Sequence, residues 1–355
     1  MKPLLFFLLI TTCCNCQVAD SMLQSILLIG NDTEMVNRLY QRGFSLRNND
    51  PRVAWEYALA CEKVARNGTS GKHLAKSYNL RGVLFYKRGD YRNALKYHEM
   101  ALALRKQAND EAGVAMSLTN LGNIYSDKSQ FARAENCYLE ALNVNKRLGR
   151  ELQAANCLIN IGALKQQTGL QDVACEYYEL ALKLGERLND YEIRSICLNN
   201  LAVALAARGD YQQAIAFNED ALKIRRFMEN RLEEADSYIN LASVFVQLKM
   251  FEQAREYLDS AMGISSANDY FSGRQEVYKT YAGYFEAVND LPSAYKYLKR
   301  YSELRDSVSA AGEPDSTDLE QSGTTVATGL KNGWLIFSLL IFLIFVPVLL
   351  FNFRR

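Results

Sequence analysis

Histidine is nearly absent from this 355-residue chain, and so is net charge. Two histidines leave little material for general acid–base catalysis or for a metal site. Forty-one basic against forty acidic side chains give a formal charge of +1 and form no basic stripe, so nothing electrostatic invites nucleic acid. Of eight cysteines, Cys13, Cys14 and Cys16 crowd the first residues; Cys61, Cys137, Cys157, Cys175 and Cys197 show no C-x-x-C spacing. They read as small core residues rather than as metal ligands or a disulfide framework. Gly68-Thr69-Ser70-Gly71-Lys72-His73 has the wrong spacing for a phosphate loop, and no strand precedes it, so it reads as a turn. No catalytic residue, no metal, no cofactor and no enzyme activity is expected.

What the chain does have is a period. Ala54, Ala94, Ala134, Ala174, Ala214, Ala254 and Ala294 recur at steps of 40 residues. Gly82, Gly122 and Gly162 keep the same step and continue as Ala202, Ala242 and Ala282. Ala101, Ala141, Ala181, Ala221 and Ala261 follow seven residues after their repeat's alanine. A fixed period of 20–50 residues signals stacked repeats, so most of this length belongs to one array rather than to separate domains.

Each repeat holds two helical stretches. Leu121, Ile124 and Tyr125 share one helix face; Ala134, Tyr138, Ala141 and Leu142 share a face of the next. Gly89, Gly169 and Gly209 stand where the first helix must end in a left-handed residue, with Asn49 and Asn289 at that place in the outer copies. Ser129 and Lys249 depart from this rule, and looser turns are expected there. Asp90 and Asp210 are placed to cap the second helix. The invariant alanine fits where two helices approach closely, and Tyr91, Phe131, Tyr211 and Phe251 fill the wider space beside it. His98 takes the place of Tyr138 and Tyr178, so it reads as packing.

The run Asn120-Leu121-Gly122-Asn123-Ile124-Tyr125, followed by Phe131, Ala134, Tyr138, Ala141 and Leu142, resembles the tetratricopeptide repeat. Gly82, Phe85, Gly89-Asp90-Tyr91, Ala94 and Ala101-Leu102 match as closely. The resemblance covers about three quarters of the chain, clearest over 75–274 and weaker in the terminal copies. It implies an all-α fold, a right-handed α-solenoid of about seven 40-residue helical hairpins over residues 35–306. It also implies that the first helix of each hairpin lines a concave groove that binds a protein or an extended peptide.

The ends read differently. Residues 1–16 have the basic start, apolar run and small residues of a cleaved signal peptide; a lipid-modified Cys13 is the rival reading. Residues 17–34 form a capping segment with a short amphipathic helix. Residues 307–333 are a polar, flexible linker. Residues 334–351 carry no charge over 18 residues, about 27 Å as a helix, and read as one transmembrane helix. Arg354 and Arg355 in the 352–355 tail then place the C-terminus in the cytoplasm and the repeats outside the membrane, in the periplasm if the cell is bacterial.

One row of polar residues marks the expected groove. Asn120, Asn160, Asn200 and Asn240 occupy one place on the first helix of four consecutive repeats, and Asn123, Asn156, Gln167 and Gln247 add neutral polar groups nearby. A carboxamide offers donor and acceptor together and so matches a peptide backbone. The competing reading is that these side chains bond to one another and only fix the repeat geometry. Leader, array and membrane helix together also resemble the input region of Bacteroidota-type membrane sensor kinases. The function expected is thus a membrane-anchored interaction module. Its alternative is the sensory half of a signalling receptor whose output lies elsewhere, such as on a separate histidine kinase.

Overall fold

Apolar residues spaced three and four apart, broken at regular intervals by turn residues, favour short amphipathic helices over any sheet. In the computed structural model, which describes residues 21–27, 31–68, 70–268 and 270–311, fifteen helices form and no strand is found among those residues. They fall into two compact units, divided after Val64 and after Ala310.

In the first unit, α1 (Ser21–Leu27) buries Leu23 and Ile26 and touches α2 (Asp32–Leu46). The short helix expected within residues 17–34 is therefore present. Asn31 caps α2 by accepting from the Glu34 N–H. The next helix, α3 (Pro51–Gly68), begins in this unit and lays Cys61 against the Val36 carbonyl at 3.6 Å.

The second unit is a stack of hairpins. Its first helices are α4 (Gly71–Lys87), α6 (Glu111–Asp127), α8 (Glu151–Gln167), α10 (Tyr191–Arg208), α12 (Arg231–Gln247) and α14 (Phe271–Ala287). Their partners are α5 (Tyr91–Gln107), α7 (Phe131–Arg147), α9 (Gln171–Arg187), α11 (Tyr211–Phe227), α13 (Phe251–Ala267) and α15 (Leu291–Ala311). The alanines act as spacers: Ala94, Ala134, Ala174, Ala214 and Ala254 are wholly enclosed, whereas Ala294 in the last hairpin is half-buried.

Glycine does the complementary work. A Cβ on Gly122 or Gly162 would lie 2.5 or 2.6 Å from the ring of Tyr138 or Tyr178, and one on Gly82 would lie 2.7 Å from His98. Where the glycine becomes Ala202 or Ala242, the facing residue shrinks to Asn218 or Leu258. His98 is buried, and burial with the nearby Arg105 charge pulls its imidazole down to about 3, so it packs as a neutral ring.

The turns inside the hairpins are left-handed not only at Gly89, Gly169 and Gly209 but also at Ser129 (φ 56°), Lys249 (φ 60°) and Asn289 (φ 62°). The expectation of looser turns at Ser129 and Lys249 is therefore wrong. The backbone closes the same way in each case, with the N–H after the left-handed residue reaching back five residues, as from Gln130 to Tyr125 and from Met250 to Phe245. Asn49 does not take that conformation, because the Asp50 N–H bonds to Leu46 and the turn stays right-handed. Asp90 caps α5 through the Asn93 N–H, but Asp210 makes no cap; its carboxylate pairs with Arg208 at 3.0 Å.

A second left-handed series joins one hairpin to the next at Asn109, Gly149, Asn189 and Glu229. There Asp110, Asp190 and Asn230 cap the following helix. The hairpin ends are tied by pairs at one repeat position: Glu111–Arg147 at 2.9 Å, Glu151–Arg187 at 2.7 Å, then Tyr191 against Phe227 with ring centroids 5.1 Å apart. The segments expected to be leader, linker and membrane helix lie outside the described residues; among the described ones no helix is long and apolar enough to cross a membrane.

Candidate functional site

Consecutive first helices touch along the whole stack from α4 to α14, so they form one wall. Between α12 and α14 that wall opens into a groove of about 670 Å³, lined by Asn240, Ser243, Gln247, Glu276, Lys279 and Thr280. Lys249 and Phe251 line it as well.

The four asparagines of the row are all half-buried, yet they split into two kinds. Asn120 donates from Nδ2 to Asn79 Oδ1 at 2.9 Å, and Asn240 donates to Asn199 Oδ1 at 2.9 Å. Each of these bonds joins neighbouring repeats, as the architectural reading expects. Asn160 and Asn200 make no side-chain hydrogen bond among the described residues, so both faces of their carboxamides stay open. The flanking groups differ as well. Asn123 is engaged in its own hairpin, accepting from the Tyr138 hydroxyl at 2.7 Å. Asn156 is exposed; exposed Gln167 accepts from Ser126 Oγ at 3.1 Å, and exposed Gln247 lines the groove.

Near the groove, Asp236 accepts from the Tyr270 hydroxyl with both oxygens at 3.2 Å. Burial pushes its carboxyl up to about 6; the Tyr270 bond and Arg225 pull it down, while Glu233 and Glu276 push it further up. Sequence reasoning missed the residues behind the row: Asn79, Asn199, Arg105 and Arg225. Arg105 is buried and gives hydrogens to the Gly113 carbonyl (2.9 Å) and Ser117 Oγ (2.6 Å). Arg225 does the same with the Glu233 carbonyl (2.9 Å) and Ser237 Oγ (2.7 Å), and also bonds Asn199 Oδ1 at 3.0 Å. The signal was present at a step of 120 residues rather than 40. Among the described residues, no group of histidine, cysteine, aspartate and glutamate is placed to hold a metal ion. The wall offers neutral hydrogen-bonding groups from the asparagine row, with Glu276 and Lys279 adding charge in the groove.

Residues 73–147 and 150–226 match one tetratricopeptide-repeat family profile, and residues 235–268 match a second; together they cover just over half of the chain. The chain is a tetratricopeptide-repeat protein. The protein FLUORESCENT IN BLUE LIGHT, chloroplastic, from Arabidopsis thaliana is 26% identical over 104 residues, 28% of this chain and 32% of that one. The chain thus spans about a third of that relative's length.

Among solved structures, the apo form of RapI superimposes with a TM-score of 0.65 at 16% identity, over 77% of this chain and 98% of RapI. A Rap protein complexed with competence and sporulation factor gives 0.59 at 14% identity, over 83% and 94%. The apo quorum sensor NprR from B. thuringiensis gives 0.54 at 16%, over 81% and 92%. These likenesses establish the repeat fold.

Proposed function

We propose that this tetratricopeptide-repeat chain is a non-enzymatic interaction module whose first helices hold an extended peptide or a protein segment. The observation that carries the reading is the pair of open carboxamides, Asn160 and Asn200, half-buried in mid-wall with no internal partner. Neither carboxamide has an atom that is both buried and unpartnered, so each is open to solvent, and a peptide backbone can offer it both a donor and an acceptor. A Rap structure solved with competence and sporulation factor shares the fold, which makes the stack a suitable shape for the same task. The row itself carries no lysine or arginine, which favours a ligand gripped by its backbone over one held by a terminal carboxylate. Anchoring through residues 334–351, with the repeats outside the membrane, completes the proposal.

The test is a screen of full-length protein against random dodecapeptides displayed on phage. Asn160→Ala with Asn200→Ala is expected to weaken a selected peptide by about tenfold, with the melting temperature nearly unchanged. Unchanged affinity in that double variant would defeat the groove reading. Anchoring is checked separately: the protein is expected to resist carbonate extraction from membranes, and release into the wash would defeat that part.

A further inference from the structure

Two four-residue groups carry the same side chains three repeats apart. One is Asn79, Arg105, Ser117 and Asn120; the other is Asn199, Arg225, Ser237 and Asn240, each member displaced by 120 positions. The repeats between them break the pattern, with Asn145 facing Cys157 and Gly185 preceding Cys197 at the arginine and serine places.

Arg225 is 4% exposed, and its Nη1 shares two hydrogens among Asn199 Oδ1, the Glu233 carbonyl and Ser237 Oγ. The Glu233 carboxylate lies 3.3 Å from Nε, close enough for charge pairing though not aligned for a hydrogen bond. A guanidinium can only donate, so the atom of Asn199 that faces it is the oxygen. That oxygen also lies 2.9 Å from the side-chain nitrogen of Asn240. The order donor, acceptor, donor leaves Asn240 one orientation: its NH₂ turned inward to Asn199 and its carbonyl left for the groove.

We infer that Arg225 is a positioning residue of the groove: through Asn199 it fixes Asn240 as a hydrogen-bond acceptor, so this place takes a backbone N–H of an extended peptide and rejects a residue that lacks one. The inference rests on the peptide-groove reading above. Asn120 likewise sets its NH₂ on Asn79 Oδ1, and the buried Arg105, bonded to Ser117 Oγ, stands at the place of Arg225. Asn240 and its counterpart Asn120 thus flank two asparagines that offer either face. At about 10 Å per repeat they stand ~30 Å apart, roughly nine residues of extended chain.

A dodecapeptide selected on the full-length protein is scanned with N-methyl residues. Two positions roughly nine residues apart are expected to lose about tenfold in affinity when methylated. Arg225→Met is expected to abolish the penalty at one of the two and keep the other. Asn199→Leu, which cuts the relay but leaves the guanidinium its serine and carbonyl partners, is expected to do the same. An unchanged methylation pattern in both variants overturns the inference. If no peptide is selected, the groove reading fails, and the positioning claim is decided by hydrogen exchange of the Asn240 side-chain amide. Exchange that is slow in the wild type and fast in Asn199→Leu supports it; equal rates overturn it.

Discussion

Leu258 and Leu298 hold the same place on the second helices of the last two repeats, yet Leu258 is fully enclosed and Leu298 is 54% exposed. Ala254 and Ala294 differ in the same direction, and α15 also exposes Leu291 and Tyr295. The interior helix has hairpins on both sides, whereas no described helix follows α15. Burial in a stack is thus conferred by the next repeat as much as by a repeat's own residues, as expected when each unit contacts only its neighbours.

The contrast can be tested hardest inside the stack. Gly122→Ala puts a methyl 2.5 Å from the enclosed ring of Tyr138 and is expected to cost ~1–3 kcal/mol by chemical denaturation. Adding Tyr138→Leu recreates the alanine–leucine pair seen at 242 and 258 and should recover part of that loss; strictly additive effects would refute the pairing.

The second comparison sets Ala174→Leu against Ala294→Leu. The enclosed site is expected to lose ~1–3 kcal/mol and the half-buried one under ~0.5 kcal/mol. Equal losses would show that the last hairpin is as tightly framed as the interior.

The third acts at the junction leading into the last hairpin, where Tyr270 bonds Asp236. The folded carboxyl is raised from its ordinary 3.8 to about 6, so the folded state holds the proton more tightly than the unfolded one. This group's contribution is most favourable below about pH 4, declines as pH rises to about 6 and is level above that, a change on the order of 1–3 kcal/mol. Asp236→Asn is expected to flatten that slope in melts run from pH 4 to 7. A slope that persists would assign it to other groups.

The smallest effect concerns the turns. Lys249→Gly places the residue of Gly209 at a left-handed position and is expected to stabilise by about 0.5 kcal/mol, the relief of strain exceeding the entropy cost of glycine. A loss of stability would show that the lysine side chain contributes more than the backbone strain costs.

The hairpins, their 40-residue step and the role of the alanines were legible in the chain because each is written locally or in strict register. The left-handed turns at Ser129 and Lys249 were not legible, because neither residue carries the usual glycine signal. At Ser129 and Lys249 the closing backbone bond, seen from Gln130 to Tyr125 and from Met250 to Phe245, forms all the same and absorbs the modest strain. The asparagine row was legible as a row, but its division into held and open members was not. That division depends on Asn79 and Asn199, each 41 residues before its partner and one place off the row, and on an arginine from a second helix.

By itself the sequence determined the helices, their pairing into hairpins and their order, since periodicity, capping and turn residues act within a few positions of one another. Only the tertiary structure decided which carboxamides are spent inside the stack and which have no partner among the described residues. Hydrogen bonding between neighbouring repeats depends on which donor and acceptor meet after the helices pack, and a guanidinium that can only donate settles the orientation of every amide linked to it.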